Sequence, residues 1–260
     1  MTKCSFLEIV MVSMNNLDDF RRSIVSIQGL LPTQYRVIVV DSSGTSDVLE
    51  ESNKLHDSGK NILYKWEEPQ GIYHAMNTGV TLCKDNSLIL FLNPGDLITD
   101  STLIFELVEL IDQGNSKWGY GLASYDNDSV TSPTLFPIPT ENTIQSLFNG
   151  DLQISHQSML VRKEVLVELG MFKAEYRIAA DLDFQFKLIA NYLPAILPKH
   201  LITVDSTGIS HNQQIRTLVE SFLIRFKRTE FSIVQKISWL LRNLVRRVKA
   251  SKRLRLRNVN

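Results

Sequence analysis

Residues 70–96 read QGIYHAMNTGVTLCKDNSLILFLNPGD, and this stretch carries the strongest signals for the fold. It contains a glycine turn, a short helical pattern, and an apolar strand that ends at Asn-Pro-Gly-Asp. In open α/β sheets, ligands bind in the crevice beyond the carboxyl ends of the strands. A buried strand that delivers Asp96 to that edge makes its carboxylate a candidate for chemistry.

The segments around this stretch alternate between apolar strands and amphipathic helices, which predicts a doubly wound α/β sheet. The predicted strands are Leu7–Ser13, Tyr35–Val40, Ile62–Lys65, Ser87–Leu92, Gly119–Ser124, Ser158–Arg162 and Ala195–Val204. The predicted helices are Leu17–Gln28, Asp47–His56, Tyr73–Lys84, Thr102–Ile111, Lys163–Leu169, Phe184–Asn191 and Ile215–Val248. Residues 126–139 are rich in Asp, Ser, Thr and Pro, which predicts an exposed loop.

The composition is that of an ordinary globular protein, with 43% hydrophobic and 22% charged residues in a chain of 260. Cys4 and Cys83 are far apart and neither belongs to a CxxC pair, which argues against a zinc site or a disulfide framework. No apolar run reaches the ~18–20 residues that span a bilayer. We therefore expect a cytoplasmic protein whose first residues form a strand rather than a cleaved leader.

The net charge of zero conceals a strong asymmetry along the chain. No acidic residue follows Glu230, and the eight basic residues between 242 and 257 leave the first 241 residues with a net charge of −8. The chain is therefore a mildly acidic domain followed by a basic tail, and the two parts need separate explanations.

The basic tail has the pattern of an amphipathic helix. Its apolar positions share one helical face and are Ile233, Ile237, Leu240, Leu241, Leu244 and Val248, with Trp239 as an added amphipathic ring. This pattern predicts contact with an anionic membrane surface through residues 232–257, at the inner face of the cell membrane. A helix docked on the main domain, a dimerisation helix and a solvated end are the alternatives. Nucleic-acid binding is disfavoured because the basic run lacks interleaved aromatic residues.

Three residues stand where predicted strands end or helices begin. Asp41 either binds a base or ribose at the end of the second strand or caps the next helix. Gly71 either exposes backbone N–H groups to an anion or is an ordinary loop residue. Asp96 either binds a hard cation such as Mg²⁺ or Mn²⁺ or is a simple turn residue.

A second cluster of polar residues lies later in the chain. Asp181 and Asp183 are two residues apart and cannot share one helical face, so a helix start between them would separate their roles. Asp181 is a candidate general base, and its alternative is an N-cap for a helix that begins near Leu182. His156 either contacts a substrate or has a structural role.

Four short segments occur in a characteristic order: GIYHAMNTG at 71–79, FLNPGD at 91–96, HQSMLVR at 156–162 and GMFKAEYRIAADLDF at 170–184. Together they resemble family 2 glycosyltransferases of the GT-A fold, in the bacterial branch that includes colanic-acid-type polysaccharide enzymes. The resemblance implies one Rossmann-like domain with a mixed, mostly parallel sheet and a C-terminal helical extension. The implied parts are a nucleotide-sugar half at 1–100, an acceptor half at 101–212 and the basic tail at 213–260.

The resemblance also implies a set of site residues. Contacts to a nucleotide-diphosphate sugar donor would come from Ser13, Asn15, Asp41, Gly71, Tyr73, Asn77 and Asn93. Asp96 would hold a divalent metal, Mg or Mn, on the diphosphate. Asp181 would be the catalytic base, with Asp183 as second choice. His156 and Gln157 would contact the acceptor.

The sequence departs from the family pattern at several of these positions. Asn93 and Gly95 stand where acidic residues of the DxD motif often occur, which reduces the support for a metal. His74 stands where the branch usually has Asp, and Ala180 replaces the acidic residue that precedes the base.

The implied function is inverting transfer of a sugar, most simply a hexose, to a hydroxyl of a glycan or lipid-linked acceptor in surface polysaccharide biosynthesis. The main alternative is a non-catalytic sugar-nucleotide-binding or scaffold subunit that keeps the fold. A nucleotidyltransferase is disfavoured because residues 13–16 lack a glycine-rich, basic phosphate loop.

Overall fold

The computed structural model describes residues 5–125, 143–150, 152, 154–205 and 213–242. The strands are β1 Phe6–Ser13, β2 Tyr35–Asp41, β3 Ile62–Trp66, β4 Ser87–Phe91, β5 Leu97–Ile98, β6 Trp118–Tyr125, β7 Met159–Arg162 and β8 Ala195–Val204. The helices are α1 Leu17–Ser26, α2 Asp47–Asp57, α3 Ile72–Leu82, α4 Ser101–Gln113, α5 Thr143–Asn149, α6 Lys163–Glu168, α7 Ala180–Asn191 and α8 Gln214–Lys227. A 3-10 turn spans His156–Ser158, and residues 233–242 are helical.

The strands form one mixed sheet in the order β3-β2-β1-β4-β7-β6-β8-β5. Strand β1 pairs in parallel with both β2 and β4, and β2 pairs in parallel with β3. Strand β7 joins this parallel half to β6 through antiparallel pairs on both sides. The chain therefore leaves β1 toward β2 and returns to β4 on its other side, which places a topological switch point at the carboxyl end of β1. The predicted fold class is confirmed.

The sheet separates two apolar layers. Val10 and Ile38 belong to the layer that contains α3, whereas Ile9 and Val39 belong to the layer that contains α1 and α4. Because both faces are covered, the central strands read as continuous apolar runs rather than alternating ones. Helix α3 approaches β1 so closely that a Cβ on Gly79 would overlap Val10 Cγ1. This close approach explains a glycine in the middle of a helix.

The structure corrects the predicted C-terminal helix Ile215–Val248. Helix α8 ends at Lys227, and a second helix covers residues 233–242; residues 243–248 lie outside the described part. Ser232 and Gln235 form a capping box at the start of that second helix. The Gln235 N–H donates to Ser232 Oγ at 3.3 Å, and the Ser232 N–H donates to Gln235 Oε1 at 2.8 Å. This Ser-x-x-Gln spacing is a helix-start signal that the sequence itself carries.

Trp239 is also placed differently from the prediction. The prediction placed this ring at an amphipathic surface, but Trp239 is buried at 3% exposure. The Arg225 guanidinium lies 4.4 Å from the centroid of the ring. The Arg225 guanidinium in turn donates to the carbonyls of Phe148 and Leu147 at 2.8 and 3.1 Å. The segment from α8 to residue 242 is therefore docked on the main domain.

Other elements differ in extent. Helix α7 begins at Ala180 rather than Phe184, so Asp181 and Asp183 both lie in its first turn. Strand β5 and helix α5 were not predicted, because two residues and seven residues are too short for a clear periodicity. The predicted loop at 126–139 lies outside the described residues.

Gly79→Ala tests the close packing of α3 on β1. The substitution gains helix propensity of about 1 kcal/mol, but the new methyl group meets the stiff, β-branched Val10. We expect a net loss of about 1–3 kcal/mol in the free energy of unfolding, measured by urea denaturation. Gly44→Ala is the control, since a Cβ at Gly44 would have no neighbour within 4 Å. Equal stability of the two variants would contradict the packing argument.

Candidate active site

The loops that follow β1 and β2 are joined at the carboxyl edge of the sheet. Ser13 and Asp41 are register partners at the ends of these strands. The Asn15 N–H donates to Ser43 Oγ at 2.8 Å, and the Gly44 N–H donates to Asn15 Oδ1 at 3.2 Å. Asn15 adopts φ = 55°, a left-handed conformation that Asn tolerates better than most residues. The structure thus brings three of the predicted donor-binding residues together.

The Asp41 carboxylate is fully buried and accepts three hydrogen bonds. Its Oδ1 accepts from the Ser43 N–H at 3.2 Å and the Ser43 hydroxyl at 2.6 Å, and its Oδ2 accepts from the Tyr64 hydroxyl at 2.9 Å. Burial, with the Asp41 hydrogen bond and charge, raises the pKa of Tyr64 and keeps its hydroxyl protonated. Helix α2 begins six residues later at Asp47, so Asp41 does not cap it.

Two aromatic residues of β3 extend this corner of the site, and neither was predicted. Tyr64 reaches Asp41, and the Trp66 indole N–H donates to the Ser43 carbonyl at 3.1 Å. Trp66 pairs in register with Asp41 and remains 46% exposed. The sequence could have indicated them, because two aromatic residues stand at alternate positions near the carboxyl end of β3, and alternate strand residues lie on one face.

Asp96 is presented by a tight turn over Asn93–Asp96. The Asp96 N–H donates to the Asn93 carbonyl at 3.0 Å, and Gly95 has φ = 99°, as the third position of a type II turn requires. Ser23 of α1 fastens this turn. Its Oγ accepts from the Gly95 N–H at 2.9 Å and donates to the Asp96 carbonyl at 2.7 Å. Ser23 was not predicted, although a serine among the apolar residues of α1 is a visible signal.

The Asp96 carboxylate is almost completely buried, at 2% exposure. Its oxygens accept the backbone N–H groups of Asn93 at 3.3 Å and Asp205 at 3.0 Å. Burial raises the pKa of Asp96 to about 6, although these hydrogen bonds, the His156 charge and hydrogen bonding from Gln157 oppose the rise. The Asp205 carboxylate packs against Gly95, 2.7 Å from where a Cβ would lie. The fold therefore adds a second acid to this corner.

Asp181 lies in the first turn of α7 between two side chains that favour its ionised form. Its Oδ1 accepts from the Tyr73 hydroxyl at 2.9 Å, and its Oδ2 lies 3.4 Å from His156 Nδ1. Burial acts to raise the pKa of Asp181, but the His156 and Tyr73 interactions outweigh it and hold the pKa below its ordinary value. A carboxylate in this state is ionised at neutral pH.

His156 and Gln157 connect the two acids that the sequence singled out. His156 Nδ1 lies 3.4 Å from Asp181 Oδ2, and both His156 and Gln157 act to lower the pKa of Asp96, so one 3-10 turn influences both carboxylates. Asn93 Oδ1 and His156 Nε2 are buried and have no hydrogen-bond partner among the described residues. Unsatisfied buried atoms are rare in folded proteins, and a bound ligand is one way to satisfy them.

Other predicted site residues use their polar atoms within the protein. The Asn77 amide bonds the backbone of Phe172 twice, with Nδ2 donating to the carbonyl at 2.7 Å and Oδ1 accepting the N–H at 3.1 Å. Asp183 has a 9% exposed side chain and pairs with Lys173 at 3.3 Å and Lys187 at 3.4 Å. Gly71 caps α3 with φ = 105°, and a Cβ there would have no neighbour within 4 Å.

A divalent metal fits this site only if the phosphate oxygens of a bound nucleotide complete its coordination. Within the described residues, no group of three or more His, Cys, Asp or Glu side chains is arranged to hold a metal. Mg²⁺ at nucleotide sites, however, uses one or two carboxylates together with phosphate oxygens. Asp96 and the unpartnered Asn93 Oδ1 supply oxygen ligands that suit such a shared site.

The fold and the polar cluster at its strand ends have the form of a GT-A glycosyltransferase. The model of glycosyl transferase family 2 matches residues 8–170, so the chain belongs to this family, as predicted. An uncharacterized glycosyltransferase of Mycobacterium tuberculosis is 24% identical over 223 residues, covering 82% of this chain and 80% of the relative. A PGL/p-HBAD biosynthesis glycosyltransferase of Mycobacterium bovis is 24% identical over 193 residues, covering 74% and 72%.

Solved structures share the fold at low sequence identity. Residues 1–349 of S. aureus TarS, in complex with UDP, match with a TM-score of 0.67 and 17% identity, covering 90% of this chain and 69% of that one. The mannosyltransferase PcManGT of Pyrobaculum calidifontis, in complex with GDP-Man and Mn²⁺, matches with a TM-score of 0.64 and 14% identity, covering 92% and 70%. The chain spans 42% of the longer TarS chain.

Asp96→Asn tests the buried acid through the pH dependence of stability. Because the folded-state pKa of about 6 exceeds the ordinary aspartate value of about 3.9, Asp96 stabilises the fold most below pH 4 and loses this contribution as the pH rises through 6. Relative to the variant, wild type should lose about 2–3 kcal/mol of unfolding free energy between pH 4 and pH 7. Denaturant titrations of both proteins, without ligand, measure the difference. Parallel pH curves would contradict the raised pKa.

Proposed function

We propose that the chain transfers a sugar, with inversion, from a nucleotide-diphosphate sugar to a hydroxyl of a glycan or lipid-linked acceptor. The observation that carries this proposal is the His156–Gln157 turn, which lies 3.4 Å from the ionised Asp181 through His156 and also acts on the pKa of Asp96. Such an arrangement puts a proton acceptor and a diphosphate-binding corner within one site. In this proposal residues 1–100 bind the donor and residues 101–212 bind the acceptor.

Asp181 is the proposed general base. The acceptor oxygen attacks the anomeric carbon while Asp181 takes its proton, and the bond from that carbon to the diphosphate oxygen breaks on the opposite face. One displacement of this kind inverts the anomeric configuration. Asp183 is the weaker choice, since Lys173 and Lys187 neutralise it within the protein.

The leaving diphosphate gains negative charge as the bond breaks. A divalent ion, when bound, would neutralise part of that charge. Asp96 and Asn93 are the proposed ligands from the protein, and both lie in the turn that Ser23 holds in place. The Mn²⁺ in the PcManGT complex supports this part of the proposal for a related fold.

The donor is proposed to lie over the carboxyl ends of β1, β2 and β3. Ser13, Asn15 and Asp41 surround this corner, and the ring of Trp66 offers an exposed apolar surface beside them. The UDP, UDP-GlcNAc and GDP-Man complexes of the neighbours support a nucleotide sugar, and a hexose in particular. The name of the Mycobacterium bovis relative is consistent with a biosynthetic role of this kind.

A membrane surface is the proposed location of the acceptor. Helix α8 exposes Ile215, Val219, Leu223 and Phe226, and the helix at 233–242 exposes Ile233, Val234, Ile237 and Leu241. The Lys236 ammonium lies 5.2 Å from the Phe226 ring, so the two apolar surfaces adjoin. The basic residues from 242 onward complement anionic lipid. No helix in the described ranges is long and apolar enough to cross a bilayer.

Asp181→Asn tests the catalytic assignment. A panel of UDP-, GDP- and dTDP-sugars, with and without Mn²⁺, first identifies the donor by its thermal stabilisation of wild type. With that donor, the variant should lose about 10²–10⁴-fold in kcat because the base is absent. Its donor-induced thermal shift should stay close to that of wild type. Unchanged turnover in the variant would refute Asp181 as the base.

Three exposed residues of the last described helix test membrane contact. The triple variant Ile233→Ser, Ile237→Ser and Leu241→Ser should bind liposomes with anionic headgroups at least ~10-fold more weakly, because apolar burial in the interface is lost. Its control is Val25→Ser, Leu31→Ser and Val167→Ser, which changes equally exposed residues elsewhere. Co-sedimentation measures both variants. Point variants are preferable to a deletion, since Phe231 stacks on Phe148 of the main domain. Equal binding by the two triple variants would reject this surface.

A further inference from the structure

The segment that precedes Asp181 is held by a carboxylate from the C-terminal helix. Three consecutive backbone N–H groups donate to Glu220 of α8: Arg177 to Oε1 at 3.1 Å, Ile178 to Oε2 at 2.9 Å, and Ala179 to Oε2 at 3.1 Å. Glu220 is 9% exposed. Its charge therefore sits at the N-terminus of α7, where the helix dipole and the free N–H groups favour an anion.

Helix α7 begins without a hydrogen bond from an N-cap side chain. Ala179 occupies the N-cap position, and its methyl group offers no hydrogen-bond acceptor. A helix start normally gains such an acceptor from Ser, Thr, Asp or Asn at the N-cap. Glu220 instead binds the N–H groups of the N-cap residue and of the two residues before it, from a position about 40 residues later in the chain.

The same segment is also held from the opposite side. The Tyr73 hydroxyl lies 2.7 Å from the Ile178 carbonyl and 2.9 Å from Asp181 Oδ1. The Ile178 N–H is thus bound by Glu220, and the Ile178 carbonyl shares the single Tyr73 hydroxyl proton with Asp181. Burial, then the charges of Asp181 and Glu220, raise the pKa of Tyr73 and keep its hydroxyl a donor.

A carboxylate close to another carboxylate is unfavourable unless it has compensating contacts. Glu220 adds negative charge near Asp181, and its charge acts on Tyr73, which hydrogen-bonds with Asp181. Helix α8 has a separate anchor in Arg225, whose guanidinium donates to the Phe148 and Leu147 carbonyls. Attachment of α8 therefore does not depend on Glu220. The contacts of Glu220 with residues 177–179 must then have a role at that segment itself.

We propose that Glu220 is a positioning residue that fixes segment 177–179 and so sets the direction in which Asp181 meets the acceptor hydroxyl. This inference rests on the proposed role of Asp181 as the base. It makes α8, which lies beyond residues 8–170 of the family match and within the predicted tail, part of the catalytic unit.

Glu220→Gln is the direct test, because it keeps the size of the side chain and turns one acceptor into an N–H donor. We expect kcat to fall about 10–100-fold, since small misplacements of a catalytic group lower the rate by such factors. The KM for the donor should stay within about 2-fold, and amide hydrogen exchange at 177–179 should become faster. The control is Glu175→Gln, which removes an exposed ion pair between the same region and Lys227 of α8. The control should match wild type in all three measurements.

A second variant keeps the test open if Glu220→Gln does not fold. Glu220→Asp retains the charge but shortens its reach, and its kcat should fall at least ~3-fold below that of wild type, with faster amide exchange at residues 177–179. Wild-type kcat or unchanged exchange in the folded Glu220 variants would overturn the positioning role. A rise in the KM for the donor by the same factor as the fall in kcat would also overturn it. Asp181→Asn separates the two hypotheses: wild-type activity there rejects the base itself, whereas its inactivity beside active Glu220 variants rejects only the positioning role.

Discussion

Burial of carboxylates at the carboxyl edge of the sheet is the constraint on which the rest of the site depends. Asp41 and Asp96 are buried and Asp181, with a 24% exposed side chain, is partly buried where the strands and α7 deliver them to this edge. A buried charge is unfavourable unless donors or cations surround it. Each of the three therefore has two or more donor contacts, and these contacts determine where the neighbouring loops lie.

The different surroundings give the two central acids different chemistry. Asp96 is surrounded mainly by neutral backbone N–H groups, and burial raises its pKa to about 6. Asp181 has a histidine and a tyrosine hydroxyl beside it, and its pKa is lowered in spite of burial. Acids whose environments move their pKa values apart are suited to separate tasks. In the proposed mechanism one acid takes a proton and the other faces the charge of the diphosphate.

Much of the fold could be predicted because its signals are local. The apolar runs at Tyr35–Val40 and Ser87–Leu92 match β2 and β4 to within one residue at each end, since strands covered on both faces show no polar alternation. The break after Lys227 was missed although Ser232 and Gln235 mark it. Apolar periodicity continues across that break, so periodicity alone could not reveal it.

The site residues also divide into those that local sequence signals predict and those that only tertiary contacts explain. By itself the sequence determined the alternating fold, the Asn93–Asp96 turn and the short motifs that mark Asp96, His156 and Asp181, because these depend on neighbouring residues. Only the tertiary structure decided that Asn77 bonds to the chain near residue 172, that the Tyr64 hydroxyl donates to Asp41, and that Glu220 binds the segment before α7. Those contacts join residues far apart in the chain, and any of many polar residues could have supplied them. Packing of the sheet and helices selects the ones that meet.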